Sequence, residues 1–202
     1  MHDAVLNPPT EEATPLPPFI GLNMAQISVI TDAEQAQAVL HLLLAADVLG
    51  FDTESQPTFI KGQISTGPHL IQLATDQHAY LFPFSGSAEM LPQLREVLQA
   101  PQVLKVGFGT RNDARALQKK FALQCNPLLD LARSLRENKR KGEVGAKTAV
   151  SRFFNQSMQK SKKISTSNWG RRHLSSAQIL YAANDAYVAL RVYRRWRELG
   201  GK

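Results

Sequence analysis

A single cysteine, Cys125, stands in 202 residues, so the chain cannot form an internal disulfide. Long hydrophobic runs are also missing. The most apolar stretch, Ala38 to Phe51, has 14 residues and is broken by His41 and Asp47, too short and too polar to cross a bilayer. Met1 to Thr10 has neither the basic start nor the apolar stretch of a secretory signal. These absences exclude a disulfide scaffold and a membrane-spanning helix, and they make a cytoplasmic protein the expectation. Cations are scarce in the first half: up to Leu104 there are two, Lys61 and Arg95, against eleven carboxylates. From Lys105 onward 22 cations face six carboxylates. Such asymmetry suggests a polyanionic partner, with a solvated basic surface as the plainer alternative.

What is present reads as one domain with an arm. Residues 7–18 hold five of the eleven prolines and can offer neither helix nor ladder hydrogen bonds, so residues 1–26 are expected to form an extended N-terminal arm ahead of a domain over 27–202. Ile27 to Ile30 reads as a strand. Thr31 and Glu34 form a capping box ahead of a helix whose apolar face is Ala36, Val39, Leu40, Leu43 and Leu44. Val48 to Phe51, His69 to Ala74 and Ala79 to Phe84 are continuous apolar runs between turn residues, hence strands. A helix through Leu91, Leu94, Val97 and Leu98 leads to a strand, Val103 to Phe108, and then to a helix through Ala114, Leu117 and Phe121. Helices are expected over Leu128 to Arg140 and Val144 to Phe154, with a basic turn, Lys139-Arg140-Lys141-Gly142, between them. Asn155 to Asn168 reads as a polar, basic loop. The last helix opens on a second capping box, Ser175 and Gln178, and runs to about Glu198. Strands first and helices later predict an α/β fold, a mixed sheet covered by helices.

Three short patterns carry chemistry. Asp52 and Glu54 stand two apart at the end of a buried strand, which puts both on one face. Taken singly, this is more often a strand meeting a polar turn than a metal site, but carboxylates beside a strand buried on both faces need partners. Asp113 lies one turn beyond the strand at Val106-Gly107-Phe108-Gly109, where the plain reading is a charge in the first helical turn. The glycine pair invites a dinucleotide reading, which Asn112 in place of the third glycine sets aside. Tyr181 and Asp185 are four apart on one face of the last helix. A tyrosine there is ordinarily core, and the aspartate is its unusual neighbour.

In order and internal spacing, Asp52-x-Glu54, Asp113 and Tyr181-x-x-x-Asp185 resemble the three motifs of the DEDD 3′-to-5′ exonuclease superfamily in its tyrosine branch. His69-Leu70-Ile71-Gln72-Leu73-Ala74, Ser167-Asn168-Trp169 and Tyr181-Ala182-Ala183-Asn184-Asp185-Ala186-Tyr187 extend the likeness, which runs from Val48 to Trp196. They look most like the Werner-syndrome-type exonuclease domain and its short bacterial relatives, and less closely like ribonuclease D. The resemblance implies a ribonuclease H-like fold with a mixed sheet of five or six strands. It implies two divalent ions, Mg²⁺ or Mn²⁺, since oxygen-only ligation favours hard cations, and a nucleic acid with a free 3′ end, single-stranded or frayed, as substrate. By position, Asp52 would bridge both ions, Glu54 and Asp185 would hold the ion that activates water, and Asp113 the other. Tyr181 would hydrogen-bond the attacking water. The sister branch places a histidine five residues before its last aspartate; here that position is Leu180, and the nearest upstream histidine, His173, is twelve residues away.

One departure concerns the aromatic that many relatives place after the first motif, where this chain has Ser55-Gln56-Pro57. Phe59 is then a candidate for base stacking, and the Thr53 backbone for lining the terminal sugar. Lys160, Lys162, Lys163, Arg171 and Arg172 are candidates for tracking phosphates, whereas Arg191, Arg194, Arg195 and Arg197 are expected to solvate the last helix. Trp169 reads as a core or loop anchor ahead of a nucleic-acid contact. Asp130 reads as a helix cap. The competing function is a catalytically silent nuclease fold that binds nucleic acid or protein. The full set of four carboxylates plus Tyr181 discriminates against it.

Overall fold

The apolar runs become strands of one sheet because both of its faces are covered. In the computed structural model, which describes residues 15–58, 62, 65–84, 89–136 and 142–202, the strands are β1 (Ile27–Val29), β2 (Val48–Glu54), β3 (Leu70–Ala74), β4 (Ala79–Pro83), β5 (Leu104–Gly107) and β6 (Leu128–Asp130). They lie in the order β1-β4-β3-β2-β5-β6. β2, β3 and β4 form an antiparallel meander, and β1, β5 and β6 join β4, β2 and β5 in parallel. This is the mixed α/β sheet expected from the sequence.

Strand alternation sorts the two faces. Leu49, Phe51, Ile71 and Leu73 pack against α1 (Ala33–Leu44), α2 (Leu91–Gln99) and Leu117 of α3 (Arg111–Phe121). The even-numbered positions of β2, β3 and β5, and the odd-numbered ones of β4, turn the other way. Val48 and Val106 meet Ala149 and Val150 of α5 (Ala146–Phe154) and Val188 of α7 (Ser176–Glu198). Leu70 and Leu81 meet Ala182, Ala183 and Ala186 of α7. Full burial of one such Leu, Val or Phe contributes roughly 1.5–3 kcal/mol, so the double-sided sheet is the main source of stability.

α7 starts on the expected capping box: Ser175 Oγ accepts from Gln178 N at 3.3 Å, and Gln178 Oε1 accepts from Ser175 N at 3.0 Å. The expected Thr31–Glu34 box on α1 is replaced by a single cap, Asp32 accepting from Gln35 N at 2.8 Å, while Thr31 N donates to Gln35 Oε1 at 2.9 Å. Asp32 is a strong cap beside Thr31, and either register keeps the apolar face. A larger correction falls at Leu128. The expected helix is instead β6 followed by the one-turn α4 (Leu131–Ser134). Two adjacent leucines fit either period, and the free edge of β5 claims them. Lys139, Arg140 and Lys141 lie outside the described residues. The polar loop contains the one-turn α6 (Lys162–Ser165), capped by Ser161.

The described part of the N-terminal segment is docked. Phe19 N donates to Ser157 O at 2.9 Å, and Asn184 on α7 accepts from Leu22 N at 2.7 Å. A 3₁₀ turn, Met24–Gln26, then leads into β1. Among the described residues no helix is long and apolar enough to cross a membrane.

Candidate active site

Gly50 lets the site form. It shares a face with Asp52 and Glu54, and a Cβ there would overlap the carbonyl oxygen of Ala186. With Ala182, Ala183 and Ala186 fully buried above it, α7 lies directly on β2 and carries Asp185, 7% exposed, over the two strand carboxylates. Tyr181 is one turn earlier on the same helix. Asp113 arrives from the first turn of α3 and accepts from Thr53 Oγ1 at 2.6 Å. The four carboxylates and the tyrosine singled out in the sequence thus meet at the C-terminal end of β2.

Gathering these charges raises their affinity for protons. Burial is the largest cause for Asp52, followed by the charges of Asp185 and Asp113, and its carboxyl lies well above the usual range. Burial, then Asp52 and Asp185, push Glu54 up to about 9. Asp113 and Asp185 are also raised, mainly by burial. The Tyr181 phenol is raised by burial and by Asp185 and Glu54, so it stays neutral, a hydrogen-bond donor. Among the described residues Lys160 answers the cluster. Lys160 Nζ is 2.9 Å from Asp185 Oδ1 and lies 5.9 Å from the centroid of the Tyr181 ring.

As these side chains stand, no three His, Cys, Asp or Glu among the described residues are drawn together tightly enough to hold an ion. Lys160 engages Asp185 and Thr53 engages Asp113, which keeps the like charges apart. The donor set nevertheless fits a hard cation. It is oxygen-only, partly desolvated and mutually repelling, and it has one ammonium for four carboxylates.

The other candidates separate. Lys160, expected on phosphates, is the counter-ion of Asp185. Lys162, Lys163, Arg171 and Arg172 are exposed around α6 and the turn before α7. Trp169 is fully buried, its Nε1 donating to Ser165 O at 3.2 Å, and its ring lies 6.1 Å from that of Tyr181. It is the core anchor behind the tyrosine and has no face left for a base. Thr53 acts on Asp113 through its hydroxyl. Phe59 lies outside the described residues. Asp130 caps α4, as expected, and also accepts from Gly109 N at 2.9 Å. Arg194 corrects the expectation of mere solvation, since its guanidinium bonds Asp47 at 2.6 and 2.7 Å and Asp76 at 3.0 Å, tying α7 to the sheet.

Sequence reasoning missed three residues. His69 accepts from Gln56 N at 3.0 Å through Nδ1 and pairs with Thr66 Oγ1 at 3.1 Å, pinning the segment after Glu54. Burial lowers its basicity, in keeping with a neutral ring. Lys105 is fully buried, its ammonium donating to the carbonyls of Val97, Ala100, Val103 and Asn126 at 2.7–3.4 Å. Gln72 lies opposite Asp52. A histidine or lysine inside an apolar run was the available signal for the first two. A cavity of about 530 Å³ opens beside the carboxylates, between Phe19 and Leu22, the loop around Met158 and Lys160, and Tyr181 and Asp185 of α7.

The same sheet and helices recur in solved nucleases. The Nibbler EXO domain of Aedes aegypti superposes with a TM-score of 0.71 at 23% identity, covering 89% of this chain and 91% of that one. RNase D of Trypanosoma brucei, in a complex with RNA, gives 0.73 at 18% identity over 84% and 61%. The fold is therefore that of the RNase D type of exonuclease. A family model for the 3′-5′ exonuclease domain matches residues 27–199, and the chain belongs to that family. The bifunctional 3′-5′ exonuclease/ATP-dependent helicase WRN of Mus musculus is 30% identical over 155 residues, 76% of this chain and 11% of that protein. The chain spans no more than a quarter of the length of the first curated relatives it matches.

Proposed function

We propose that this chain is a metal-dependent 3′-to-5′ exonuclease that hydrolyses phosphodiester bonds at the 3′ end of a nucleic acid and releases nucleoside 5′-monophosphates. The observation that carries this reading is the convergence of Asp52, Glu54, Asp113 and Asp185 with Tyr181 at one strand end. Asp52, Glu54 and Asp185 would hold one divalent ion, Mg²⁺ or Mn²⁺, and Asp52 with Asp113 a second. Two such ions supply neutralisation of the scissile phosphate, activation of water and stabilisation of the leaving oxygen. The chain's own groups do the rest. Tyr181, neutral and set against Trp169, offers its hydroxyl proton to orient the attacking water. Lys162, Lys163, Arg171 and Arg172 give an exposed basic approach for a single strand. A nucleic-acid substrate is in keeping with the RNA in the Trypanosoma brucei neighbour.

The test is incubation with 5′-labelled and 3′-labelled DNA and RNA oligonucleotides in Mg²⁺, Mn²⁺ or EDTA. The expected result is a ladder shortening from the 3′ end only with metal. Cleavage in EDTA, or cuts in a closed circle, would sink the proposal. Binding without cleavage in either metal would leave a silent nucleic-acid-binding module.

A further inference from the structure

Gln72 sits in the middle of β3, a strand buried along its whole length. It is 0% exposed, and neither its Nε2 nor its Oε1 has a hydrogen-bond partner among the described residues. A buried carboxamide with both ends unpaired is a liability that leucine, of similar size, would remove. The register shows what the position offers. Gln72 is directly opposite Asp52 in the antiparallel β2–β3 pair, so the two side chains share a face with Cβ atoms about 4.5–5.5 Å apart. On its other flank Gln72 pairs with Leu81, and Ala182, Ala183 and Ala186 of α7 cover this part of the sheet, none with a side-chain polar atom. Among the described residues Asp52 accepts one hydrogen bond, from Thr53 N to Oδ1 at 2.8 Å, which leaves Oδ2 for another donor.

We propose that Gln72 is a positioning residue for Asp52, its carboxamide Nε2 holding the carboxylate in the rotamer that faces Glu54 and Asp185 when a divalent ion is bound. This rests on the reading of the four carboxylates as a metal site. Asp52 is the carboxylate shared by both ions in that reading, so fixing its orientation matters more than fixing any other. A group behind a metal ligand typically changes metal affinity by 10–100-fold when removed. A bond from Nε2 to Asp52 would satisfy the unpaired amide.

The experiment compares the full chain with Q72L and Q72M, reading the melting temperature in EDTA and the Mn²⁺ affinity by calorimetry. Wild type is expected to bind Mn²⁺ saturably. Q72L is expected to melt in EDTA at or above the wild-type temperature, because an unpaired polar group has gone, yet to bind Mn²⁺ 10–100-fold more weakly. Q72M, flexible enough to fill the site differently, should show the same loss and keeps the test alive if Q72L packs badly. Wild-type Mn²⁺ affinity in a folded Q72L or Q72M overturns the role of Gln72 and leaves the metal site standing. A wild-type protein that binds no Mn²⁺ removes the metal reading itself, and this role with it.

Discussion

In the proposed mechanism Asp52 would act through metal and Tyr181 on the attacking water, and substitution separates the two roles. On that reading Asp52→Asn removes a charge that both ions would share, so turnover should fall by more than about a thousandfold while oligonucleotide binding survives. Tyr181→Phe keeps the ring packed on Trp169 and deletes a single hydroxyl, an effect on the order of tenfold to ten-thousandfold and no larger than that of Asp52→Asn. Single-turnover cleavage and binding in Ca²⁺, on variants that melt like wild type, measure both. Full activity in Asp52→Asn would refute the metal assignment. Glu54 adds a pH signature. Its carboxyl, ordinarily at 4.5, is pushed up to about 9, so between those values the folded state holds a proton that the unfolded chain has lost. The stability linked to that proton is full below about 4.5 and disappears as pH rises through about 9. Glu54→Gln, which needs no proton, should therefore raise the melting temperature in EDTA progressively from pH 5 to pH 9, with little change at the acid end. A constant difference across that range would contradict the assignment.

At the scale of elements, the site depends on how closely α7 approaches β2. Gly50 has no Cβ to hold the helix off, and the alanine face above it is shallow. Gly50→Ala should force α7 outward, costing about 1–3 kcal/mol as overpacking does. Because Asp185 rides on that helix, the stabilisation that Mn²⁺ gives wild type should shrink with it. Thermal melts with and without Mn²⁺ test both effects, and an Ala variant with undiminished Mn²⁺ protection would show that the close approach is only packing. The sequence showed the helix, its capping box and its alanines. It did not show β6, because Leu128-Leu129 is too short to declare a period and the edge of β5 settled it.

For the whole molecule, the charge asymmetry between halves becomes local. Arg194 and Arg195 are engaged by carboxylates on or near α7, and Lys105 and Lys160 are spent inside the fold. The exposed lysines of α6 remain the electrostatic approach to the site. Replacing Lys162 and Lys163 with Ala should lower the magnitude of the log-log salt slope for a single strand by about 1.4, from ~0.7 per phosphate contact, evenly across sequences. Binding measured from low to moderate salt checks this, and an unchanged slope would return both lysines to the solvated surface.

The sequence by itself determined the family through the resemblance of its motifs, and it singled out the four carboxylates, Tyr181 and the first five strands, because each pattern is local: a spacing of two on a strand, four on a helix, an apolar run of fixed length. Only the tertiary structure decided that Lys160 answers Asp185, that Thr53 holds Asp113, that Trp169 faces inward and that Gln72 stands against Asp52. Those relations join residues 25, 60 and 20 positions apart for the first, second and fourth, and a one-dimensional period carries no information on which distant side chains a folded sheet and its covering helix bring within a hydrogen bond.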